Sequence, residues 1–190
     1  MGVNFSLPLN IKLSIMFSDP AKNIEQFGLS RGILVADFGA GSGFYTMSAS
    51  KAVGDNGRVY AIDIQKDLIQ KIKNQANIEH IPNIEIIWGD VEKIGGSKMR
   101  DGSVDAVIIA NILFQVVEKN NICLEAKRIL KNGGRALVID WLDSFGGLGP
   151  RQEDVFLPSA AKEIFQKNDF VFDREFGAGE HHYGLIFKKQ

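Results

Sequence analysis

The chain has 190 residues, 45% of them apolar and 24% charged, with a formal net charge of −1. That length suits one domain over residues 1–190 with a substantial core, and that balance suggests neither disorder nor a fibrous architecture. The lysines are spread along the chain, so no electrostatic footprint for nucleic acid stands out and such a partner is disfavoured. One cysteine, Cys123, cannot make an intrachain disulfide, and no Cys/His spacing suits zinc, so an intracellular protein without a metal is expected. The opening stretch MGVNFSLPLNIKLSIMF carries its lysine mid-run and is broken by Pro8, unlike a secretory leader. No window is apolar for long enough to span a bilayer, and cytoplasm is the expected compartment.

Asp19 and Pro20 open a short helix that closes at Gly28: aspartate caps, proline fits the first turn, and glycine accepts a left-handed end. ILVADF (33–38) is a continuous apolar run, as expected of a strand buried on both faces. Gly39, Gly41 and Gly43 follow at alternate positions, and FYTMSASKAV (44–53) resumes as a helix. RVYAIDI (58–64) is the second strand, and Leu68, Ile69, Ile72 and Ala76 give the next segment helical spacing. NIEIIWGD (83–90) and VDAVIIAN (104–111) are the third and fourth strands. NICLEAKRILKNGG (121–134) is read as an amphipathic helix stopped by glycine, with RALVIDW (135–141) as the fifth strand. After a long glycine-bearing loop (143–158) come a helix, AAKEIFQKN, and two more strands, FVFDREF (170–176) and YGLIFKK (183–189). The connection between those strands, GAGEHH, is too short for a parallel crossover and predicts an antiparallel hairpin.

Alternating strands and helices predict an α/β fold with an open, mostly parallel sheet of seven strands and helices on both faces. Right-handed crossovers bring the strand C-terminal ends to one edge, where ligands of such sheets bind. Asp37, Asp63, Asp90, Asn111 and Asp140 all stand at or near those ends.

Glycines at 39, 41 and 43 let the backbone turn sharply and approach a ligand, and the helix from Phe44 offers its N-terminal amides to negative charge. A dinucleotide fingerprint places its third glycine three residues after the second, and Phe44 stands there instead. A nicotinamide-dependent oxidoreductase is thus a weakened alternative. Asp63, ending the second strand, can take both hydroxyls of a ribose, while Asp37 would repel a pyrophosphate and welcome an ammonium. The ligand suggested is a nucleoside joined to an amino acid.

With VADFGAGSG, VYAIDI, IIWGDV and DAVIIAN in this order, and the closing hairpin, the sequence from about 19 to 190 resembles the class I S-adenosylmethionine-dependent methyltransferases. The likeness is strongest to the small bacterial and archaeal branch near the ubiquinone/menaquinone-type and arsenite-type enzymes. It implies a Rossmann-like doubly wound fold and S-adenosyl-L-methionine as cofactor. It also implies that Gly39, Ala40 and Gly41 pack against the methionine portion, that Asp37 holds its amino group, and that Asp63 binds the ribose. Ile64 would line the adenine, Asp90 would accept from its exocyclic amine, the Val91 amide would meet a ring nitrogen, and Asn111 would lie near the donor methyl. Arsenite chemistry, which needs several cysteines, is set aside because Cys123 stands alone, on a helix expected away from the crevice.

Methyl transfer from a sulfonium is an in-line displacement that needs alignment more than an obligatory side chain. The acceptor is expected to be a small molecule. His181 and His182 at the hairpin tip, and Asp140 and Asp143 after the fifth strand, are candidates for a base or a substrate contact, or they simply support hairpin and loop. Residues 1–18 and 143–158 are candidate lids or surface segments, and a protein that binds the cofactor without transferring its methyl is a further alternative.

Overall fold

The computed structural model describes residues 18–145, 147 and 149–190. The proposed N-terminal arm or lid, apart from Ser18, lies outside the described residues. Helix α1 (Pro20–Phe27) starts as its sequence dictates: Asp19 Oδ1 accepts from the amides of Ala21 and Lys22, and Gly28 closes it at φ +66°. The remaining elements, in chain order, are β1 (Leu34–Phe38), α2 (Phe44–Val53), β2 (Arg58–Asp63), α3 (Lys66–Ile78), β3 (Ile84–Trp88), β4 (Val104–Ala110), α4 (Lys119–Ile129), β5 (Leu130–Trp141), a 3-10 turn (Gln152–Asp154), α5 (Pro158–Lys167), β6 (Phe170–Gly179) and β7 (His182–Lys189).

The seven strands form one sheet in the order β3-β2-β1-β4-β5-β7-β6. Strands β1 to β5 are parallel, and β7 runs antiparallel to both β5 and β6. The order reverses between β1 and β4, which opens a crevice at their C-terminal ends. Residues alternate across the sheet. Val35 faces the cluster built with Ile24, Phe27 and Ala49 of α1 and α2, whereas Ala36 and Phe38 face the one built with Ile122, Ile129 and Phe165 of α4 and α5. Each fully buried valine, isoleucine or phenylalanine among these contributes about 1.5–3 kcal/mol, and the continuous apolar runs of β1 and β4 follow from burial on both faces.

The fold matches the expected Rossmann-like α/β architecture with its C-terminal hairpin, and two boundaries differ by more than two residues. The helix expected over 121–134 ends at Ile129, and Leu130 already pairs with Val104 of β4 before the ladder resumes at Arg135 with Ala106. Leu130 is fully buried, so pairing and burial override the local helical pattern, and the glycine pair lies in an irregularity of β5 with Gly133 at φ +76°. Strand β6 extends to Gly179, which leaves Glu180 and His181 as a two-residue turn where a longer connection was expected. Among the described residues no helix is long and apolar enough to cross a membrane.

Candidate functional site

The crevice is built by the turns that leave β1, β2, β3 and β4. Gly39, Gly41 and Gly43 adopt φ values of +64°, +54° and +82°, which only glycine takes without strain. The loop is fastened from below, since the Ala40 amide donates to the Ile62 carbonyl (3.0 Å) and the Gly41 amide to Asp63 Oδ2 (2.9 Å). Two adjoining cavities result. One, of about 390 Å³, is lined by Asp37, Ala40, Tyr45, Asn111, Trp141 and His182 among others. The second, of about 330 Å³, is lined by Asp63, Ile64, Asp90, Val91, Ile112 and neighbours. Gly39, Gly41 and Gln115 border both, so the two are lobes of one crevice.

All nine residues expected to hold the cofactor are thereby brought together. Asp37 is buried, accepts from Thr46 Oγ1 at 2.5 Å, and burial pushes its carboxyl up to about 7. Asp63 accepts from the Gly41 and Gln65 amides, so it shapes the turn into α3 as well as facing the second lobe. Asp90 Oδ1 accepts from the Glu92 amide, and Oδ2 pairs with Lys93 at 2.9 Å. Asn111 is held at φ +56° by its amide, which donates to the Ile139 carbonyl, and its buried Oδ1 meets no hydrogen-bond partner among the described residues. A left-handed asparagine with an orphaned acceptor on a cavity wall is strain of the kind that collects at ligand sites.

The catalytic candidates separate. His182 is buried and lines the first lobe, its ring 4.1 Å from that of Trp141. His181 instead pairs with Asp143 at 2.8 Å and stacks on Phe145, and it lines neither lobe. Asp140 also lies behind the wall: it accepts from the amides of Leu113, Phe114 and Trp141, and burial pushes its carboxyl up to about 7. It holds the β4–α4 connection in place. Cys123 is buried on α4, away from both lobes, and burial raises its thiol to about 12.

Tyr45, Gln115 and Trp141 were not anticipated from sequence. Tyr45 is anchored by Ser18 and Asn23 at 2.8 and 2.9 Å, and Asn23 also reaches the Ala178 carbonyl, which ties α1, α2 and β6 around the first lobe. Gln115 falls four residues after Asn111 and donates back to its carbonyl at 3.0 Å, a spacing that the segment NILFQ carries in plain sight.

The likeness to known proteins agrees with this geometry. A family described as methyltransferase domain matches residues 29–173. The chain is 32% identical over 139 residues to a ubiquinone/menaquinone biosynthesis C-methyltransferase UbiE of Hahella chejuensis, covering 72% of this chain and 54% of that protein. It is 29% identical over 151 residues to the one of Azotobacter vinelandii, covering 77% and 58%. It therefore spans little more than half the length of those relatives. A crystal structure of a SAM dependent methyltransferase from Aquifex aeolicus superimposes with a TM-score of 0.84 at 28% identity, covering 97% of this chain and 100% of that one. A two-lobed crevice at the sheet's switch point, with an acid at or just past the end of each of its first strands, and these matches lead to one conclusion: the chain belongs to the methyltransferase-domain family.

Proposed function

We propose that this chain, acting as a single domain, transfers the methyl group of S-adenosylmethionine to a small acceptor lacking phosphate or carboxylate groups. The observation that carries the reading is electrostatic: among the described residues neither lobe is lined by a lysine or arginine, while Asp37 faces the first and Asp63 and Asp90 the second. A pyrophosphate would meet acids there, whereas a sulfonium and an ammonium are favoured by them. In this reading Asp37 holds the amino group, Asp63 the ribose, Ile64, Asp90 and Val91 the adenine, and Gly39, Ala40 and Gly41 lie along the amino-acid portion. The bound cofactor supplies an activated methyl, and the protein's task is alignment.

Phe44, Tyr45, Trp141 and His182 form an aromatic wall on the first lobe, which suits a flat or apolar acceptor. Asn111 Oδ1 offers that acceptor, or the cofactor beside it, a hydrogen-bond acceptor. His182 is placed to touch it and to take a proton when the reacting atom carries one. The named function of the UbiE relatives supports a small-molecule acceptor, and the scattered charge speaks against nucleic acid. The reduced single cysteine fits a cytoplasmic protein.

Calorimetric titration with S-adenosylhomocysteine tests the reading. Wild type should bind, and Asp63→Ala, folded by far-UV dichroism, should bind about 100-fold more weakly, as two lost charge-assisted contacts require. Affinity within threefold of wild type would refute the placement, and no binding by wild type would refute the cofactor.

A further inference from the structure

Trp88 ends β3 and lines neither lobe, yet one hydrogen bond ties it to the wall of the second lobe and two lysines hold its ring. Its indole Nε1 donates to the Ile64 carbonyl at 3.0 Å. The ammonium groups of Lys66, at the start of α3, and Lys98, in the loop before β4, stand over its ring at 4.3 and 4.8 Å. The residue it grips is exposed: Ile64 is 58% accessible and forms part of the second lobe's wall directly after Asp63.

An apolar side chain at that position has little packing of its own to fix it. The turn that carries it is pinned instead by hydrogen bonds at each residue, from Gly89 to the Asp63 carbonyl (3.1 Å), from Trp88 to the Ile64 carbonyl, and from Gln65 to the Asp63 carboxylate (2.8 Å). Of these only the middle one comes from a side chain on the edge strand. A tryptophan is well suited to the task, because its ring is rigid and its one polar atom is a donor. The flanking lysines hold the ring by cation–π attraction without competing for that carbonyl.

We propose that Trp88 is a positioning residue for the nucleoside half of the cofactor: its indole N–H fixes the Ile64 carbonyl and thereby sets the wall on which the adenine rests. The proposal rests on the cofactor placement above.

Trp88→Phe keeps the ring and removes the donor. The expected result is S-adenosylhomocysteine and adenosine each bound about 3- to 10-fold more weakly, with the thermal midpoint of the unliganded protein lowered by no more than about 5 °C, the range of one hydrogen bond. Equal loss for both ligands marks the nucleoside half, because adenosine lacks the methionine portion. Affinities within twofold of wild type, or loss for S-adenosylhomocysteine alone, would overturn it. A second measurement uses the unaltered sequence: the chain has two tryptophans, so 15N-labelled indole spectra show two N–H signals, and adenosine should move that of Trp88. A Trp88 signal unmoved at saturating adenosine would overturn the proposal, while absence of any adenosine or S-adenosylhomocysteine binding to wild type would refute the cofactor placement along with it.

Discussion

Asp37 combines a fixed place with an unusual ionisation. Burial raises its carboxyl from an ordinary 3.8 to about 7, against the hydrogen bond from Thr46 and aided by nearby Asp63. In the placement proposed above, the cofactor's ammonium beside it favours the ionised form, so binding below about pH 7 would expel a proton. S-adenosylhomocysteine affinity is expected to rise as pH increases from about 6 to 8, and calorimetry in two buffers of different ionisation enthalpy should register proton release. Asp37→Asn should bind weakly with a flat profile, and a flat wild-type profile would count against this role. The glycines of the same loop divide by space. A Cβ on Gly39 would stand 2.6 Å from Ile112 Cδ1, whereas one on Gly41 would meet nothing nearer than 3.7 Å, and both residues have positive φ. Gly39→Ala should therefore cost about 1–3 kcal/mol and exceed Gly41→Ala, as read from urea midpoints.

Helix α4 shows how an element outside the crevice shapes it. Glu125 is fully buried, accepts from the Gly95 and Ser97 amides, and pairs with Arg128 at 2.7 Å. Burial works to raise its carboxyl, but Arg128, Ser97 and the amides win and hold it at about 2. The loop so fixed packs against the wall of the second lobe, since the Asp90 amide donates to the Gly96 carbonyl and Gly89 approaches that same carbonyl too closely for a side chain. Glu125→Gln leaves Arg128 without its buried countercharge and is expected to destabilise the protein by about 3 kcal/mol. Hydrogen exchange should quicken over residues 95–99 before it does so in β1. Unchanged stability and exchange would mean that the ion pair holds nothing.

Across the whole molecule, raised and lowered carboxyls set opposite slopes. Asp37 and Asp140 ionise near 3.8 when unfolded and near 7 when folded, so their stabilising contribution is complete below about pH 3.8 and is lost as pH rises through 7. Glu125 contributes above its ordinary 4.5, and that contribution is lost as pH falls towards 2. The thermal midpoint of the unliganded protein is expected to peak at about pH 4 and to decline from there to about pH 7. S-adenosylhomocysteine should stabilise more at pH 8 than at pH 6, and Asp140→Asn should flatten the decline without removing it. A midpoint that climbs steadily from pH 5 to 8 would contradict both assignments.

The sequence by itself determined the strands and the hairpin, because each is marked locally: an apolar run long enough for a buried strand, and glycines where the chain must turn left-handed; through a family resemblance it also suggested nine cofactor positions, which the fold brings to one crevice. It placed His181 and His182 side by side at the hairpin tip and could not tell them apart. Strand alternation and the two-residue turn sent His182 into the first lobe and His181 to Asp143. Asp140 read as a crevice acid, yet its carboxylate faces backbone amides of the β4–α4 connection, 26 and 27 residues earlier in the chain. The end of α4 went the same way, with a helical pattern overruled at Leu130 by pairing with β4. Local signals follow from what one segment needs for its own backbone; which side chain faces a cavity depends on partners distant in sequence, and only the tertiary structure decided it.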